Sequence, residues 1–234
     1  MFLTWLPLLA VAAIGTQTPS LADSKTYLAD VSKLLKAEWP KNRTVNIVCH
    51  GHSVPAGYFQ TPIVNTFSAY PYLLHSKLAI KFPHAVINVI VTAIGGENSE
   101  QGAKRFATDV LTLKPDVITI DYSLNDRFIG LERSKKAWSQ MIDAATKAGV
   151  KVILLTPTPD EESKLDDPND PLNEQAEQVR SLAKEFHVGL VDSLAEFQRA
   201  TATGIPLTSL MAQSNHPNRK GHSLVANHLY EWFP

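Results

Sequence analysis

The chain is organised around residues 45–57, VNIVCHGHSVPAG, where a short apolar run ends in a turn of the form Gly-x-Ser-x-x-x-Gly. Such a run is typical of a buried parallel strand, and ligands in open α/β sheets bind just beyond the carboxyl ends of such strands. Ser53 falls at that point, and the flanking Gly51 and Gly57 permit a tight turn with room beside the hydroxyl. Ser53 is therefore the candidate nucleophile, although a serine after a strand is more often a turn residue or a helix N-cap.

Further apolar runs follow along the chain, and stretches with helical spacing separate them. The five predicted strands are residues 44–49, 85–91, 116–122, 150–155 and 188–191. A helix before the first strand, one between each pair and one at the end of the chain complete an alternating pattern. This pattern predicts an α/β fold with a five-stranded parallel sheet and helices on both faces. At 234 residues, the chain is long enough for one well-cored domain.

Three local expectations concern individual elements. Residues 65–82 are predicted to form a helix that Pro71 kinks near its start, with Leu73, Leu74, Leu78 and Ile80 as packing residues. Asn98 is expected to cap the helix that follows the second strand. Residues 157–171, rich in Pro, Asp and Glu, are expected to form a long exposed loop, either a substrate-binding lid or plain irregular structure.

Loops after the first three strands carry the groups that acyl transfer needs. Ser53 follows the first strand, Gly96 the second and Asn125 the third, so parallel strands place them at one edge of the sheet. The backbone N–H groups of Ser53 and Gly96 and the side chain of Asn125 can stabilise an oxyanion, and His216 can serve as the base. Each residue taken alone favours an ordinary turn or loop role, but their joint occurrence in this order favours a catalytic site.

The sequence resembles the SGNH (GDSL-type) hydrolase superfamily. The blocks that carry the resemblance are Gly51-x-Ser53, Gly96, Asn125-Asp126 and His216-Pro217-Asn218-x-x-Gly221-His222. The resemblance implies a flavodoxin-like three-layer α/β/α sandwich and cofactor-free, metal-free ester hydrolysis of the carbohydrate-esterase type. It also implies Ser53 as nucleophile, His216 as base, and Ser53, Gly96 and Asn125 as the oxyanion hole.

Two residues depart from the usual blocks of this superfamily. His52 stands where Gly-Asp-Ser has its aspartate, and Gln213 stands three residues before His216, where a carboxylate usually orients the imidazole. Three replacements for that carboxylate are open. A backbone carbonyl near Gln213 or Ser214 is favoured; the others are a carboxylate from the acidic loop (Asp166, Asp167 or Asp170) and a slow Ser-His dyad.

Several neighbouring residues are candidate accessory groups: His52, Asp126, Arg127 and Gln213. His50 and His52 form a His-x-His pair that could begin a zinc site with His216 or Asp126, but the hydrolase blocks account for these residues without a metal. Asp126 either lines the site or holds its loop. Arg127 either pairs with a substrate carboxylate or forms a surface salt bridge.

Cys49 is the sole cysteine of the chain, so no intramolecular disulfide can form. Its place inside the apolar run favours a small buried side chain over a catalytic thiol.

Residues 1–22 differ in composition from the rest of the chain. An apolar run at 2–14 is short for a membrane span and precedes Ser20-Leu21-Ala22, a small-x-small cleavage pattern. We predict a secretory signal at residues 1–22 and a hydrolase domain at 23–234, with no stable membrane insertion after cleavage. An uncleaved anchor is the alternative, whereas a lipoprotein is disfavoured because no cysteine follows the run.

Charge and composition limit the kinds of partner. The net charge is −1, and basic residues are interspersed with acidic ones, so a nucleic-acid partner is not expected. The constellation of candidate catalytic residues, with the predicted secretory signal, predicts an exported (periplasmic or secreted) serine esterase. The resemblance, the export prediction and the absence of a long apolar lid segment together imply that it removes small acyl groups from a carbohydrate. The alternatives are a lysophospholipase or thioesterase acting on longer chains, and a glycan-binding protein with impaired catalysis.

Overall fold

The computed structural model describes residues 20–234, and most of the predicted leader lies outside this range. The main sheet has the order β2-β1-β3-β4-β5, and every neighbouring pair is parallel. Its strands are β1 (Thr44–Gly51), β2 (Val86–Val91), β3 (Val117–Asp121), β4 (Lys151–Leu155) and β5 (Gly189–Val191). The predicted flavodoxin-like α/β fold with a five-stranded parallel sheet is confirmed.

Helices cover both faces of the sheet. Those in residues 20–234 are α1 (Ala29–Leu35), α2 (Ser53–Ala56), α3 (Tyr70–Lys81), α4 (Ser99–Asp109), α5 (Ser123–Asp126), α6 (Leu131–Lys147), α7 (Pro171–Glu185), α8 (Ser193–Ala202) and α9 (Arg219–Tyr230). Helices α1, α3, α8 and α9 pack on one face, whereas α4 and α6 pack on the other. Helix α7 contributes side chains to both apolar layers. No helix in this part of the chain is long and apolar enough to cross a bilayer.

The alternation of strand side chains divides the core into two layers. In β1, Ile47 and Cys49 face the α3 and α9 side, while Val48 faces the α4 and α6 side. All three side chains are fully buried. A strand buried on both faces needs a continuous apolar run, which is the pattern that identified β1 in the sequence.

The region predicted as a helix at residues 65–82 is built in two parts. A 3₁₀ turn at Thr66–Ser68 precedes α3, and Ala69 between them is extended. Pro71 lies in the first turn of α3, where its missing N–H costs no hydrogen bond, so it begins the helix without kinking it. The prediction that Ile80 packs inside was wrong, because its side chain is 82% exposed.

Two loops differ from the expectation of plain surface structure. Residues 157–160 of the acidic segment are buried, and exposure begins at Glu161. The stretch before α9 contains a short antiparallel hairpin, β6 (Met211–Gln213) with β7 (His216–Pro217). The N–H of Glu161 donates to the carbonyl of Ser214 at 2.8 Å, so the acidic segment is tied to this hairpin.

At the amino-terminal end of the described chain, Ala22 is 6% exposed and packs into the core. The carbonyl of Ser20 lies 2.8 Å from Nδ1 of His187. The last residues of the predicted leader therefore contact the domain.

Candidate active site

Ser53 is the first residue of α2, directly beyond the end of β1. At Gly51 the chain passes so close to β3 that a Cβ would lie 2.4 Å from the carbonyl oxygen of Asp121. The N–H of His52 donates to the same carbonyl at 3.2 Å. This close approach requires glycine and fixes where the turn that carries Ser53 begins. Ser53 itself is 7% exposed.

His216 contacts Ser53 from the β6-β7 hairpin. Its Nε2 lies 2.9 Å from Oγ of Ser53, a hydrogen-bond distance. Burial lowers the pKa of His216, and the carbonyl of Phe59 opposes that shift. The neutral imidazole, the form that accepts a proton, is therefore favoured.

The second nitrogen of His216, Nδ1, is buried and has no acceptor with hydrogen-bond geometry among residues 20–234. Gln213 lies opposite His216 in the hairpin, but its side chain accepts from the N–H of Thr61 at 2.9 Å and donates to Asn215 at 3.1 Å. The Ser214 carbonyl, part of the favoured replacement, accepts the Glu161 N–H. The backbone carbonyl that raises the pKa of His216 belongs to Phe59.

The carboxylates proposed from the acidic loop are engaged elsewhere. Asp170 caps α7 by accepting from the N–H of Leu172 at 2.9 Å, and Asp167 accepts from Asn169 at 3.0 Å. Asp166 lines a surface groove of about 730 Å³ together with Arg180 and Arg199. None of the three is hydrogen-bonded to His216 within the described chain.

The candidate oxyanion donors come from three adjacent loops. The N–H groups of Ser53 and Gly96 have no acceptor within residues 20–234. Gly96 has φ +82°, and a Cβ there would have no heavy atom within 4 Å, so the space beside it is open. Asn125 donates from Nδ2 to the carbonyl of Glu97 at 2.7 Å, which fixes its orientation and leaves its second amide hydrogen available.

A buried polar network supports the loop that carries Gly96. The Nε of Arg105 lies 3.0 Å from both carboxylate oxygens of Glu97, and the Tyr122 hydroxyl lies 3.3 Å from the same carboxylate. As predicted, Asn98 caps α4 and forms a capping box with Gln101. Sequence reasoning missed the Glu97–Arg105 pair; the available signal was an acidic residue just before the predicted helix and a basic residue two turns further along it.

The two histidines of the His-x-His pair do not converge. His50 contacts Thr92 at 2.9 Å and the carbonyl of Gly102 at 3.2 Å on the α4 side. Burial there lowers the pKa of His50 to about 3. His52 instead lies on the nucleophile turn, where Nδ1 accepts from the N–H of Val54 at 3.3 Å. No group of three or more potential metal ligands occurs in residues 20–234.

The carboxylate of Asp121, which sequence reasoning did not single out, lies beside the turn that carries His52 and Ser53. Its Oδ1 lies 3.4 Å from Nε2 of His52, and its Oδ2 accepts from the Tyr70 hydroxyl at 3.2 Å. A carboxylate that ends an otherwise apolar strand was the signal in the sequence.

Asp126 holds the loop after β3. Its carboxylate accepts from the Ser99 N–H at 2.8 Å and from the Trp138 indole at 2.7 Å. Burial raises the pKa of Asp126, and these hydrogen bonds oppose that rise. Of the two roles considered for Asp126, the geometry supports the structural one.

Arg127 is paired within the protein. Its Nη2 lies 2.5 Å from Oδ2 of Asp160, and its guanidinium stacks over Phe128 at 4.9 Å. Both partners of the ion pair are mostly buried. The geometry therefore ties Arg127 to the acidic segment.

Two further residues complete the surroundings of Ser53. The ring centroids of Tyr58 and His216 are 5.9 Å apart, and a Cβ at Gly95 would lie 2.8 Å from the Tyr58 ring. Tyr58 thus packs between the Gly96 loop and His216, a role that no motif indicated. Cys49 is fully buried, and burial raises the pKa of its thiol to about 12, as suits a packing residue.

Comparison with known proteins identifies a family that matches most of the chain. The sequence profile described as "GDSL-like Lipase/Acylhydrolase family" matches residues 49–224. An acetylxylan esterase of Geobacillus stearothermophilus is 26% identical over 168 residues, which cover 64% of this chain and 76% of that protein.

Solved structures share the fold at low sequence identity. A catalytic mutant of an acetylxylan esterase from Geobacillus stearothermophilus has a TM-score of 0.71 at 20% identity, covering 85% of this chain and 96% of that one. A two-domain esterase active on acetylated mannans has a TM-score of 0.71 at 22% identity, covering 88% of this chain and 52% of that one.

Proposed function

The chain belongs to the GDSL-like lipase/acylhydrolase family and is an ester-hydrolysing serine esterase, and we propose that it removes small acyl groups, such as acetyl, from a carbohydrate. In this proposal Ser53 is the nucleophile, His216 the general base, and Ser53, Gly96 and Asn125 the oxyanion donors. The observation that carries it is the 2.9 Å contact between Ser53 Oγ and His216 Nε2, beside the N–H groups of Ser53 and Gly96, which have no acceptor within residues 20–234.

The reaction follows from this geometry. As Oγ of Ser53 attacks the ester carbonyl, its proton passes to Nε2 of His216, and the carbonyl oxygen becomes an oxyanion that the N–H groups stabilise. His216 then gives the proton to the departing alcohol, leaving an acyl-serine. Water activated by His216 hydrolyses that ester and restores Ser53.

A carboxylate on the second nitrogen of the base usually orients it and stabilises its cation, and removing one costs about 10⁴ in turnover in a serine protease. His216 lacks such a partner within residues 20–234. The site is therefore proposed to work as a Ser-His dyad in which burial keeps the imidazole neutral, and the Phe59 carbonyl offsets part of the fall in its pKa.

Two observations support a small acyl group on a carbohydrate. Ser53 and His216 are only 7% and 5% exposed, so little of the reacting surface is open to a bulky acyl chain. The curated relative is named for acetylxylan, and one structural neighbour is described as active on acetylated mannans.

The test compares the protein with Ser53→Ala on p-nitrophenyl esters of increasing acyl length, and then on acetylated xylan with release of acetate as the readout. We expect turnover that is highest for acetate, falls with chain length and is lost in Ser53→Ala. Faster turnover of octanoate than acetate would favour the long-chain alternative. Glycan binding without any ester turnover would favour a catalytically impaired binding protein.

We also propose that residues 1–22 direct export. The test is to locate the protein in cell fractions and to determine the amino terminus of the exported form by mass spectrometry. A terminus at Asp23 supports the predicted boundary, whereas an earlier terminus would retain the buried Ala22.

A further inference from the structure

The side chain of His52 is completely buried and places one nitrogen against each of two polar partners. On one side, Nδ1 accepts from the Val54 N–H at 3.3 Å and lies 3.4 Å from Oγ of Ser53. On the other side, Nε2 lies 3.4 Å from Oδ1 of Asp121. The imidazole thus lies between a buried carboxylate and the turn that carries the nucleophile.

The contact with Val54 defines the tautomer that this turn requires. A backbone N–H can donate to Nδ1 only if that nitrogen carries no proton, so neutral His52 must be protonated on Nε2. The Nε2–H then faces Asp121 Oδ1. Neither atom has a hydrogen-bond partner within residues 20–234. The Nε2–H is a donor and Oδ1 an acceptor 3.4 Å away, so the two atoms attract each other electrostatically.

Asp121 is held rigidly in this place. It is the last residue of β3 and pairs in register with Gly51, and its backbone carbonyl accepts the His52 N–H at 3.2 Å. Its second carboxylate oxygen accepts from the Tyr70 hydroxyl at 3.2 Å. The carboxylate is 2% exposed, so it acts on its neighbours with little screening by water.

We propose that Asp121 is a positioning residue that holds His52 in the Nε2-protonated tautomer and thereby keeps Ser53 ready for attack. This inference rests on the proposed function of Ser53 as nucleophile. In the other tautomer, the N–H groups of Nδ1 and Val54 would face each other as two donors, so the hydrogen bond that caps the turn would be lost. The Nδ1–H would also donate to Ser53 Oγ and engage one of its two lone pairs, which makes that oxygen a weaker nucleophile.

The pairing also predicts which residue can replace His52. An asparagine there offers a neutral oxygen to the Val54 N–H and does not depend on a tautomer. An aspartate offers the same cap but adds a second negative charge beside the buried Asp121 carboxylate, and like charges at this distance disfavour each other. His52→Asn is therefore expected to retain more activity than His52→Asp.

The kinetic test is a double-mutant cycle with p-nitrophenyl acetate. Asp121→Asn preserves shape and can still accept from Tyr70, but its amide group donates to Nε2 and favours the wrong tautomer. We expect kcat to fall by between about tenfold and about 10⁴-fold, with KM changed by no more than about twofold. In the His52→Asn background, the same change at Asp121 is expected to lower kcat by no more than about twofold.

A second readout does not depend on activity. Nitrogen-15 NMR of histidine-labelled protein, with His52 assigned by its absence in His52→Asn, should show Nε2 protonated in the unmutated protein and Nδ1 protonated in Asp121→Asn. A proton on Nδ1 in the unmutated protein would overturn the proposal, even if Asp121→Asn did not fold.

An equal loss of kcat from Asp121→Asn in both backgrounds would also overturn it, because the carboxylate would then act without His52. These outcomes are distinct from failure of the proposed function. Ser53→Ala retaining the full rate would remove Ser53 as nucleophile, whereas the tautomer of His52 would still be measured.

Discussion

Nε2 of His216 lies 2.9 Å from Oγ of Ser53, although 163 positions separate the two residues in the chain. The partner that is usual on the other side of the imidazole is absent within residues 20–234, because Gln213 bonds to Thr61 and Asn215.

Gln213→Asp is expected to raise kcat on p-nitrophenyl acetate by about tenfold or more. Gln213 and His216 are opposite each other in the hairpin, so their side chains share a face, and a carboxylate there would stabilise the imidazolium. Gln213→Asn is the matched control, since it also shortens the side chain that bonds to Thr61. Equal rates in the two variants would show that position 213 does not act on His216.

The pH dependence of kcat/KM should reflect the buried state of His216. Burial lowers its pKa, and the base works only when neutral, so activity should rise with pH through a midpoint below the ordinary value of 6.5. The protein should consequently stay active in mildly acidic solution, where an exposed histidine would be protonated. Initial rates from pH 4 to 8 provide the measurement. A midpoint above 6.5 would show that the rise of kcat/KM with pH does not report the deprotonation of His216.

Asn125→Ala is expected to lower kcat by about 10²–10³-fold with little change in KM, because an oxyanion donor acts mainly in the transition state. Asn98→Ala is a suitable control in the same region. Asn98 caps α4, so its loss should cost about 1 kcal/mol of stability without a comparable loss of kcat. Similar kinetic losses in both variants would indicate that Asn125 acts only by holding the loop.

Gly51→Ala is expected to destabilise the fold by about 1–3 kcal/mol in urea unfolding and to reduce activity. Its Cβ would lie 2.4 Å from the Asp121 carbonyl, so β1 and β3 must move apart where the nucleophile turn begins. Gly204→Ala is the control, because it introduces backbone strain without a steric clash. Gly204 has φ +92° with no heavy atom within 4 Å of a Cβ, so it should lose stability but keep kcat.

Much of this protein was accessible from local sequence pattern. Apolar runs of strand length separated by helical spacing predicted the α/β class and all five parallel strands, because those periodicities arise from backbone geometry and burial. The positions of Ser53, Gly96 and Asn125 at one sheet edge followed from the same pattern, since parallel strands end at a common edge. His216 was identified by its motif, although the hairpin that presents it was not predicted.

Only the tertiary structure decided which polar groups meet. Three findings depend on distances between segments far apart in the chain: the exposure of Ile80, the pairing of Arg127 with Asp160, and the lack, among residues 20–234, of an acceptor for Nδ1 of His216. The contact between His52 and Asp121 has the same origin, because it arises from the register that places Gly51 beside Asp121. Sequence pattern indicates which face of an element a side chain occupies. Whether two polar atoms form a hydrogen bond depends on differences in distance of a few tenths of an ångström, and the packing of the folded chain determines those distances.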